Sequence, residues 1–229
     1  MIRAVIFDIE GTIGDIAFVR NVLFPYARER LAAFLTARWT EPAVAAIVAA
    51  AREATGEALA TPSAAEARFA AWMDEDRKIT PLKALQGLIW RDGYADGALK
   101  AHLYDDAVAA MRRYHAQGLR LCIYSSGSLE AQKLYLAHSI AGDLTSLVEA
   151  CFDTTTGAKA EPSSYERIAR TLDLAPQEII FFSDAPAEVA AAHAAGMTAV
   201  TVERNAGGTA AAAPAGVRVI HDFNGVELS

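Results

Sequence analysis

Two acidic residues, Asp8 and Glu10, follow a short apolar stretch near the start of the chain and precede Gly11 and Thr12. Side chains alternate along a strand, so both carboxylates would lie on one side at its carboxyl end, where open α/β sheets bind ligands. Two carboxylates this close repel each other, and a bound divalent cation would offset the repulsion. The pair indicates a cation site, with solvated acids at an ordinary turn as the alternative.

Three further polar signals follow apolar stretches or precede a helix. Residues 125–128, Ser-Ser-Gly-Ser, come after the apolar residues 121–124 and could bind a phosphate through N–H groups and a hydroxyl. Lys159 lies just before a predicted helix, and Asp184, with Glu188 four residues later, ends another apolar stretch. Each signal alone is equally typical of an ordinary loop, so their order in the chain has to decide the function.

The elements that would position these residues alternate between strand and helix, as in a parallel sheet covered by helices. Strands are predicted at residues 2–7, 119–124, 179–182, 198–202 and 217–220. Helices are predicted at residues 106–117, from Ser163 onward, and from Pro186 to Gly196. The predicted fold class is α/β, with a doubly wound, mainly parallel, Rossmann-like sheet.

A long segment between the first two strands has a different pattern. Residues 16–100 contain Ala-rich amphipathic stretches and no strong strand signal, which predicts an α-helical cap domain inserted after the first strand. The core domain would then comprise residues 1–15 and 101–229. Residues 207–216, rich in Ala, are predicted to form a surface loop of low complexity.

Composition excludes several classes of protein. Of the 229 residues, 53% are hydrophobic and 21% charged, which excludes a disordered chain, and the net charge of −7 with no basic stripe argues against nucleic acid as a partner. No apolar run is long enough to span a membrane, and the N-terminus lacks a secretory pattern. Cys122 and Cys151 are interpreted as core residues rather than a disulfide framework. We therefore expect a cytoplasmic monomer.

The order of the polar signals resembles the four motifs of the haloacid dehalogenase superfamily. Four patterns follow one another along the chain. They are a strand before Asp-x-acid-Gly-Thr, a strand before Ser, a Lys before a helix, and a strand before Asp. The Ala-rich residues 190–197 are similar to the helix that follows the family's last motif. The resemblance covers residues 1–15 and about 101–205, and it implies a cap over the site.

The resemblance also implies roles for individual residues. Asp8 would attack phosphorus and form an aspartyl phosphate, and Glu10 would protonate the leaving oxygen and then activate the water that resolves the intermediate. Ser125, Ser126 and Lys159 would bind the phosphate of the substrate.

One Mg²⁺ per subunit is implied by the same resemblance. Asp8 and Asp184 would hold it together with position 10, where the main-chain carbonyl is expected and the Glu10 side chain is left open. Glu188 is interpreted as orienting the lysine or metal-bound waters rather than binding the metal.

The lysine motif departs from the usual pattern of the family. The lysine is often followed directly by Pro, whereas Ala160 and Glu161 come before Pro162 in this chain. Lys159 is still preferred over Lys133, which lies on the helix after the serine loop.

A narrower resemblance follows from Glu10, because most phosphatases of the superfamily have Asp at this position. Dehalogenases and phosphonatases keep no acid there, so a carboxyl group favours ester hydrolysis. Enolase-phosphatases of methionine salvage have Glu and resemble this chain along nearly its full length. The stretches that carry this resemblance are residues 7–12, 16–19, 23–26, 76–80, 82–90, 123–128, 130–133 and 152–154.

That family implies a two-step reaction on 2,3-diketo-5-methylthiopentyl-1-phosphate. The diketone is first enolised, and the phosphate ester is then hydrolysed to give the acireductone 1,2-dihydroxy-3-keto-5-methylthiopentene. Four polar residues of the cap are candidates for binding the diketone, with a solvated helix start as the alternative: Arg77, Lys78, Lys83 and Gln86. The residue that moves the enolisation proton stays open, and Glu10 is our hypothesis.

Three other functions compete with this interpretation. A capped phosphatase for a sugar phosphate or phosphoglycolate would share the core motifs, and residues 76–90 argue against it. A phosphoacceptor module of the receiver type would be shorter and would lack the insertion. A catalytically inactive binding protein is the third, although every expected catalytic group is present.

Overall fold

The computed structural model describes residues 1–204 and 216–228. The chain divides into two compact units, one formed by Met1–Ile16 with Lys100–Ser229 and the other by Ala17–Leu99. We call them the core unit and the helical unit. The predicted loop at residues 207–216 lies, apart from Gly216, outside the described residues.

The core unit contains a six-stranded parallel sheet in the order β3-β2-β1-β4-β5-β6. Its strands are β1 (Ala4–Phe7), β2 (Arg120–Tyr124), β3 (Val148–Phe152), β4 (Ile179–Ser183), β5 (Thr198–Val202) and β6 (Arg218–Ile220). This order reverses direction between β1 and β4, the position where doubly wound sheets bind ligands. The predicted α/β class is confirmed.

Several helices of the core unit connect the strands. They are α6 (Asp105–Ala116), α7 (Leu129–Ala137), α8 (Pro162–Thr171) and α9 (Pro186–Ala194), and 3₁₀ turns precede β3 and β4 at Thr145–Leu147 and Pro176–Glu178. Because all the strands are parallel, their carboxyl ends lie at one edge of the sheet.

The sheet is buried on both faces at its centre, which fixes where β1 ends. Phe7 stacks on Phe182 at 5.6 Å between ring centroids on one face, and Ile6 packs with Phe181 and Tyr165 on the other. All four residues of β1 are buried. Burial of both faces explains why all of β1 is apolar. It also fixes the position of the first polar residue after the strand, Asp8.

Strand β3 was not predicted from the sequence. β3 lies at the sheet edge and is mostly half-exposed, with Glu149 pointing to solvent. Glu149 pairs with Arg120 of β2 at 2.6 Å. An edge strand with a charged residue in its middle lacks the apolar run by which the central strands are recognised.

The helical unit contains no strand in its described residues. It begins in α1 (Ile16–Phe18), continues through a π-helical turn (Val19–Leu23), and contains α2 (Phe24–Arg38), α3 (Pro42–Thr55), α4 (Pro62–Asp74) and α5 (Thr80–Ala95). Its helices pack around their own apolar core, in which Phe69 meets Trp72 edge-on at 5.3 Å. The predicted helical insertion is therefore confirmed.

No single helix in residues 1–204 and 216–228 is long and apolar enough to cross a membrane. One bent pair, Ile16–Arg38 with Pro42–Thr55, passes the same test of length and composition when taken together across a bend of 113°.

Candidate active site

Asp8 is the first residue beyond β1 and is only 5% exposed. Its amide extends the ladder of the sheet by donating to the Phe182 carbonyl at 2.9 Å. Its two carboxylate oxygens have different partners, because Oδ1 faces the Lys159 ammonium at 2.5 Å and Oδ2 accepts from the Thr12 hydroxyl at 3.4 Å. The sheet therefore fixes the backbone of Asp8, and its neighbours orient the carboxylate.

A tight turn that contains the next acid, Glu10, follows Asp8. Gly11 donates to the Gly14 carbonyl and Gly14 donates to the Ile9 carbonyl, both at 2.8 Å. Gly11 has φ +75°, a left-handed conformation that glycine adopts without strain. Glu10 lies within this turn, is half-buried, and forms a bridge with Gly14.

Lys159 lies between two carboxylates. Its Nζ is 2.5 Å from Oδ1 of Asp8 and 2.6 Å from Oε2 of Glu188, and Glu188 also accepts from the Ser183 hydroxyl at 2.9 Å. Burial disfavours the ammonium, but the two carboxylates outweigh it and raise the pKa of Lys159. The contact with Glu188 fits one of the two roles expected of this acid, orienting the lysine, and the other role, orienting metal-bound waters, stays a prediction.

Asp184 follows β4 and reaches the turn after β1. Its amide donates to the Thr12 hydroxyl at 3.0 Å, so this one hydroxyl links the Asp8 carboxylate to the Asp184 backbone. A Cβ on Gly11 would overlap with the Asp184 carboxylate, which makes glycine necessary there. Burial, with the charges of Asp8 and Glu188, raises the pKa of Asp184 to about 7.

The acids at this sheet edge fit a hard divalent cation. Mg²⁺ binds through one or two carboxylates and keeps several waters or substrate oxygens. Within the part of the chain that the structure describes, no group of three His, Cys, Asp or Glu side chains is arranged to hold a metal. The pKa of Asp184 is raised first by burial and then by the charges of Asp8 and Glu188, and a cation near Asp8 would offset that carboxylate charge.

The serine loop lies at the end of β2, beside β1. Ser125 is buried, donates its amide to the Phe152 carbonyl at 3.1 Å and accepts from Gly127 on its hydroxyl at 3.2 Å, whereas Ser126 is exposed. Behind the loop, the buried Gln132 amide donates to the carbonyls of Gly127 at 2.8 Å, Phe152 at 2.9 Å and Ser125 at 3.5 Å. Since these carbonyls are held from behind, the loop backbone is fixed.

The predicted site residues fall into two groups. Asp8 contacts Lys159 directly, and the Thr12 hydroxyl links Asp8 to Asp184. Glu10, Ser125 and Ser126 belong to the loops after the adjacent strands β1 and β2, at the same edge of the sheet.

Sequence reasoning gave no role to three residues that support this site: Thr12, Gln132 and Arg204. Thr12 and Gln132 lie within stretches that already carried the family resemblance. Arg204, half-buried and two residues beyond the end of β5, donates to the Thr12 carbonyl at 2.9 Å and to the Asp106 carboxylate at 2.7 Å. No local pattern could have identified Arg204, because its partners are far away in the chain.

In the helical unit, the candidate diketone-binding residues differ in exposure. Arg77 and Lys78 are exposed just before α5, and Arg77 lies 3.9 Å from Glu75. Lys83 is half-buried on α5, and Gln86 is buried on the same helix. A buried amide on a helix is the more unusual of these features.

Comparison with known proteins identifies the class. The family model of haloacid dehalogenase-like hydrolases matches residues 2–196. The chain is 44% identical to Enolase-phosphatase E1 of Alcanivorax borkumensis over 229 residues, covering 100% of both chains. It is 52% identical to Enolase-phosphatase E1 of Parvibaculum lavamentivorans over 203 residues, which is 89% of this chain and 86% of the relative.

Solved structures show the same fold. The crystal structure of the UTR4 protein of Saccharomyces cerevisiae superposes with a TM-score of 0.82 at 30% identity, covering 99% of this chain and 100% of that one. CbbY from Rhodobacter sphaeroides in complex with phosphate superposes with a TM-score of 0.62 at 16% identity, covering 97% of this chain and 95% of that one. The similarity to CbbY is a similarity of fold alone.

The chain belongs to the enolase-phosphatase family of the haloacid dehalogenase-like hydrolases. The resemblance found in the sequence, and with it the prediction of an enolase-phosphatase enzyme of methionine salvage, is confirmed.

Proposed function

We propose that the chain enolises 2,3-diketo-5-methylthiopentyl-1-phosphate and then hydrolyses the phosphate ester to give 1,2-dihydroxy-3-keto-5-methylthiopentene. The observation that carries the hydrolytic half is the buried contact between Lys159 Nζ and Asp8 Oδ1 at 2.5 Å. A carboxylate at a strand end, beside a fixed cation, can attack phosphorus while the ammonium offsets the charge of the phosphoryl group.

The phosphate group would be held at one sheet edge. Lys159 offers its ammonium, and Ser125 and Ser126 offer a hydroxyl or an amide from the loop after β2. Fixed donors of this kind stabilise charge without reorganising during the reaction. Gln132 contributes indirectly, because it binds three carbonyls behind this loop.

In the first step, a carboxylate oxygen of Asp8 forms a bond to phosphorus while the bond from phosphorus to the ester oxygen breaks. Glu10 gives its proton to that departing oxygen. Glu10 then takes a proton from water, whose oxygen attacks phosphorus, and the bond from phosphorus to Asp8 breaks to release inorganic phosphate. Asp8 and Glu10 return to their starting states.

The cofactor we propose is one Mg²⁺ per subunit, held by Asp8, Asp184 and the oxygen donor at position 10. When bound, it would neutralise phosphate charge and orient the phosphoryl group. Support comes from the chemistry of the donor set, since the buried carboxylate of Asp8 and the half-buried carboxylate of Asp184, whose pKa is raised, suit a hard cation.

For the enolisation, our hypothesis is that Glu10 moves the proton from C1. Its side chain is one methylene longer than the Asp found in most related phosphatases, and a single carboxyl group could serve both proton transfers. The Glu10→Asp variant tests this: we expect enolisation to fall with hydrolysis. Full enolisation with loss of hydrolysis alone would contradict the hypothesis.

The function itself is tested by two readouts on the diketone phosphate, ultraviolet absorbance of the enediol and release of inorganic phosphate. We expect both, with phosphate release abolished by EDTA and restored by Mg²⁺. A sugar phosphate and phosphoglycolate serve as controls. Faster hydrolysis of either one, without enediol from the diketone, would contradict the assignment.

We also propose that the enzyme acts as a cytoplasmic monomer without a protein partner. Both Cys122 and Cys151 are free thiols, which suits a reducing compartment. Sedimentation velocity at micromolar concentration tests the oligomeric state, and a stable dimer would contradict it.

A further inference from the structure

Four consecutive main-chain carbonyls lead up to and include Lys159, and each accepts a hydrogen bond from a side chain. Arg167 donates to Thr156 at 2.5 Å, Tyr124 to Gly157 at 2.9 Å, Ser164 to Ala158 at 2.7 Å and Tyr165 to Lys159 at 2.8 Å. Most loop carbonyls face water, so side-chain partners on all of residues 156–159 are unusual. We call these four side chains the carbonyl cradle.

The donors of the carbonyl cradle are themselves fixed by packing. Tyr124 ends β2, and the other three lie on α8; Tyr124, Ser164 and Tyr165 are fully buried. The rings of Tyr124 and Tyr165 meet edge-on at 5.5 Å, and Tyr165 meets Phe181 of β4 at 5.1 Å. The carbonyl cradle therefore holds the backbone of residues 156–159 in a fixed position relative to the core of the sheet.

The backbone at Gly157 lies in close contact with two side chains of the carbonyl cradle. Gly157 has φ +150°, and a Cβ at this position would overlap with the side chains of Arg167 and Ser164. Arg167 also donates to the Ser164 hydroxyl at 3.1 Å, so the two donors brace each other. Only glycine leaves room for this close approach.

Holding this backbone has a consequence for Lys159. A lysine side chain loses rotamer entropy when it is fixed, and the Nζ of Lys159 has to reach both Asp8 and Glu188. A fixed Cα limits the side chain to the few rotamers that arrive there. The two residues between Lys159 and Pro162 also lengthen the link to α8, so Pro162 alone does not set the position of the lysine.

We propose that Tyr165 and Tyr124 are positioning residues that act through Lys159, an inference that rests on the proposed phosphatase chemistry. Tyr165 is the more direct of the two because it binds the carbonyl of Lys159 itself. Neither hydroxyl touches Asp8, so each influences catalysis only by fixing where the ammonium lies.

The test is Tyr165→Phe, which removes one hydroxyl and keeps the ring packing. We expect kcat/KM for an aryl phosphate at saturating Mg²⁺ to fall about three- to tenfold, the effect of one neutral hydrogen bond. Tyr114→Phe is the matched control: the buried Tyr114 hydroxyl donates to the Val226 carbonyl at 2.7 Å, away from this loop. It should lose comparable stability and keep its kcat/KM.

A double-mutant cycle separates positioning from general support. In a Lys159→Met background, Tyr165→Phe should cause no further loss of kcat/KM, because the group that it positions is gone. The same fold-loss in both backgrounds, or no loss in either, would overturn the inference.

A crystal structure of Tyr165→Phe decides the question without turnover. We expect Nζ of Lys159 to lose its contact with Asp8 or Glu188. Retention of both contacts would overturn the inference whether or not the wild type hydrolyses phosphate esters, whereas an inactive wild type would contradict the proposed function instead.

Discussion

The ammonium of Lys159 lies 2.5 Å from Oδ1 of Asp8, and both side chains are more than nine-tenths buried, with exposed fractions of 9% and 8%. The residues are 151 positions apart and meet because β1 and the loop before α8 converge at one sheet edge. A buried ammonium thus neutralises the carboxylate that we propose as the nucleophile.

Replacing this cation should affect both activity and stability. Lys159→Met leaves the carboxylates of Asp8 and Glu188 buried without their partner. We expect phosphate release to fall by at least about 100-fold and the free energy of unfolding to fall by about 3 kcal/mol. Steady-state kinetics and urea unfolding measure these two quantities.

Lys133→Met is the matched control, since Lys133 is exposed on α7. Its kinetics and stability should stay within error of the wild type. A Lys159→Met variant that behaves like Lys133→Met would contradict the role of the buried pair.

Asp184 gives the metal-free protein a distinctive pH dependence. Its pKa is raised from 3.8 to about 7, so the folded chain keeps a proton that the unfolded chain releases near pH 4. Between about pH 4 and 7 the folded state therefore binds more protons, and this group lowers the free energy of unfolding as pH rises. The Tm of the EDTA-treated protein should fall across this range.

If Asp184 holds Mg²⁺ as proposed, the ion would compete with that proton, so the increase in Tm that it causes should grow between about pH 5 and 8. Asp184→Asn should remove both effects, since its amide does not titrate. Scanning calorimetry with and without Mg²⁺ measures them. Identical pH profiles for wild type and Asp184→Asn would contradict the assignment of Asp184.

Gln132 supports the serine loop from behind. Gln132→Met keeps the volume but removes the side-chain donor that the three carbonyls share, and within the described part of the chain only the Phe152 carbonyl keeps another donor, the Ser125 amide. We expect this change to lower the free energy of unfolding by about 1–3 kcal/mol. The KM for the phosphate ester should rise severalfold because the loop that we propose to bind phosphate would no longer be fixed. Gln117→Met, at an exposed helix end, is the control, and an equal KM in the two variants would argue against this role.

Arg204 ties the turn after β1 to the start of α6. Arg204→Met leaves the Asp106 carboxylate without its cation, and we expect a loss of about 3 kcal/mol of unfolding free energy. The exposed pair Arg3–Glu178, 3.2 Å apart, is the comparison, and Arg3→Met should change stability by less than about 1 kcal/mol. Chemical denaturation of both variants distinguishes the two kinds of ion pair, and losses of equal size would contradict the distinction.

The central part of the fold could be predicted from the sequence because burial leaves a strong local pattern. β1 is buried on both faces, so its apolar run is continuous and the polar residue that follows, Asp8, marks its end. Asp184 follows β4 for the same reason. β3 lies at an edge with Glu149 in solvent, and its pattern is correspondingly weak.

The supporting contacts could not be predicted because they depend on distant partners. Thr12 bonds to both Asp8 and Asp184, and Arg204 reaches Thr12 across 192 positions. Periodicity and spacing describe neighbours along the chain, whereas these hydrogen bonds depend on which strands lie side by side. Motif order predicts the candidate reacting groups, whereas the residues that hold them are visible only in the fold.

The most direct test of the proposed chemistry is to look for a phosphoryl group on Asp8. Glu10→Gln cannot activate the water of the second step, so an acid quench during turnover should trap the intermediate. Mass spectrometry of the peptide that contains Asp8 should then find the phosphoryl group on that residue in Glu10→Gln and none in Asp8→Asn. Continued phosphate release by Asp8→Asn, or a phosphoryl group on any other residue, would contradict nucleophilic attack by Asp8.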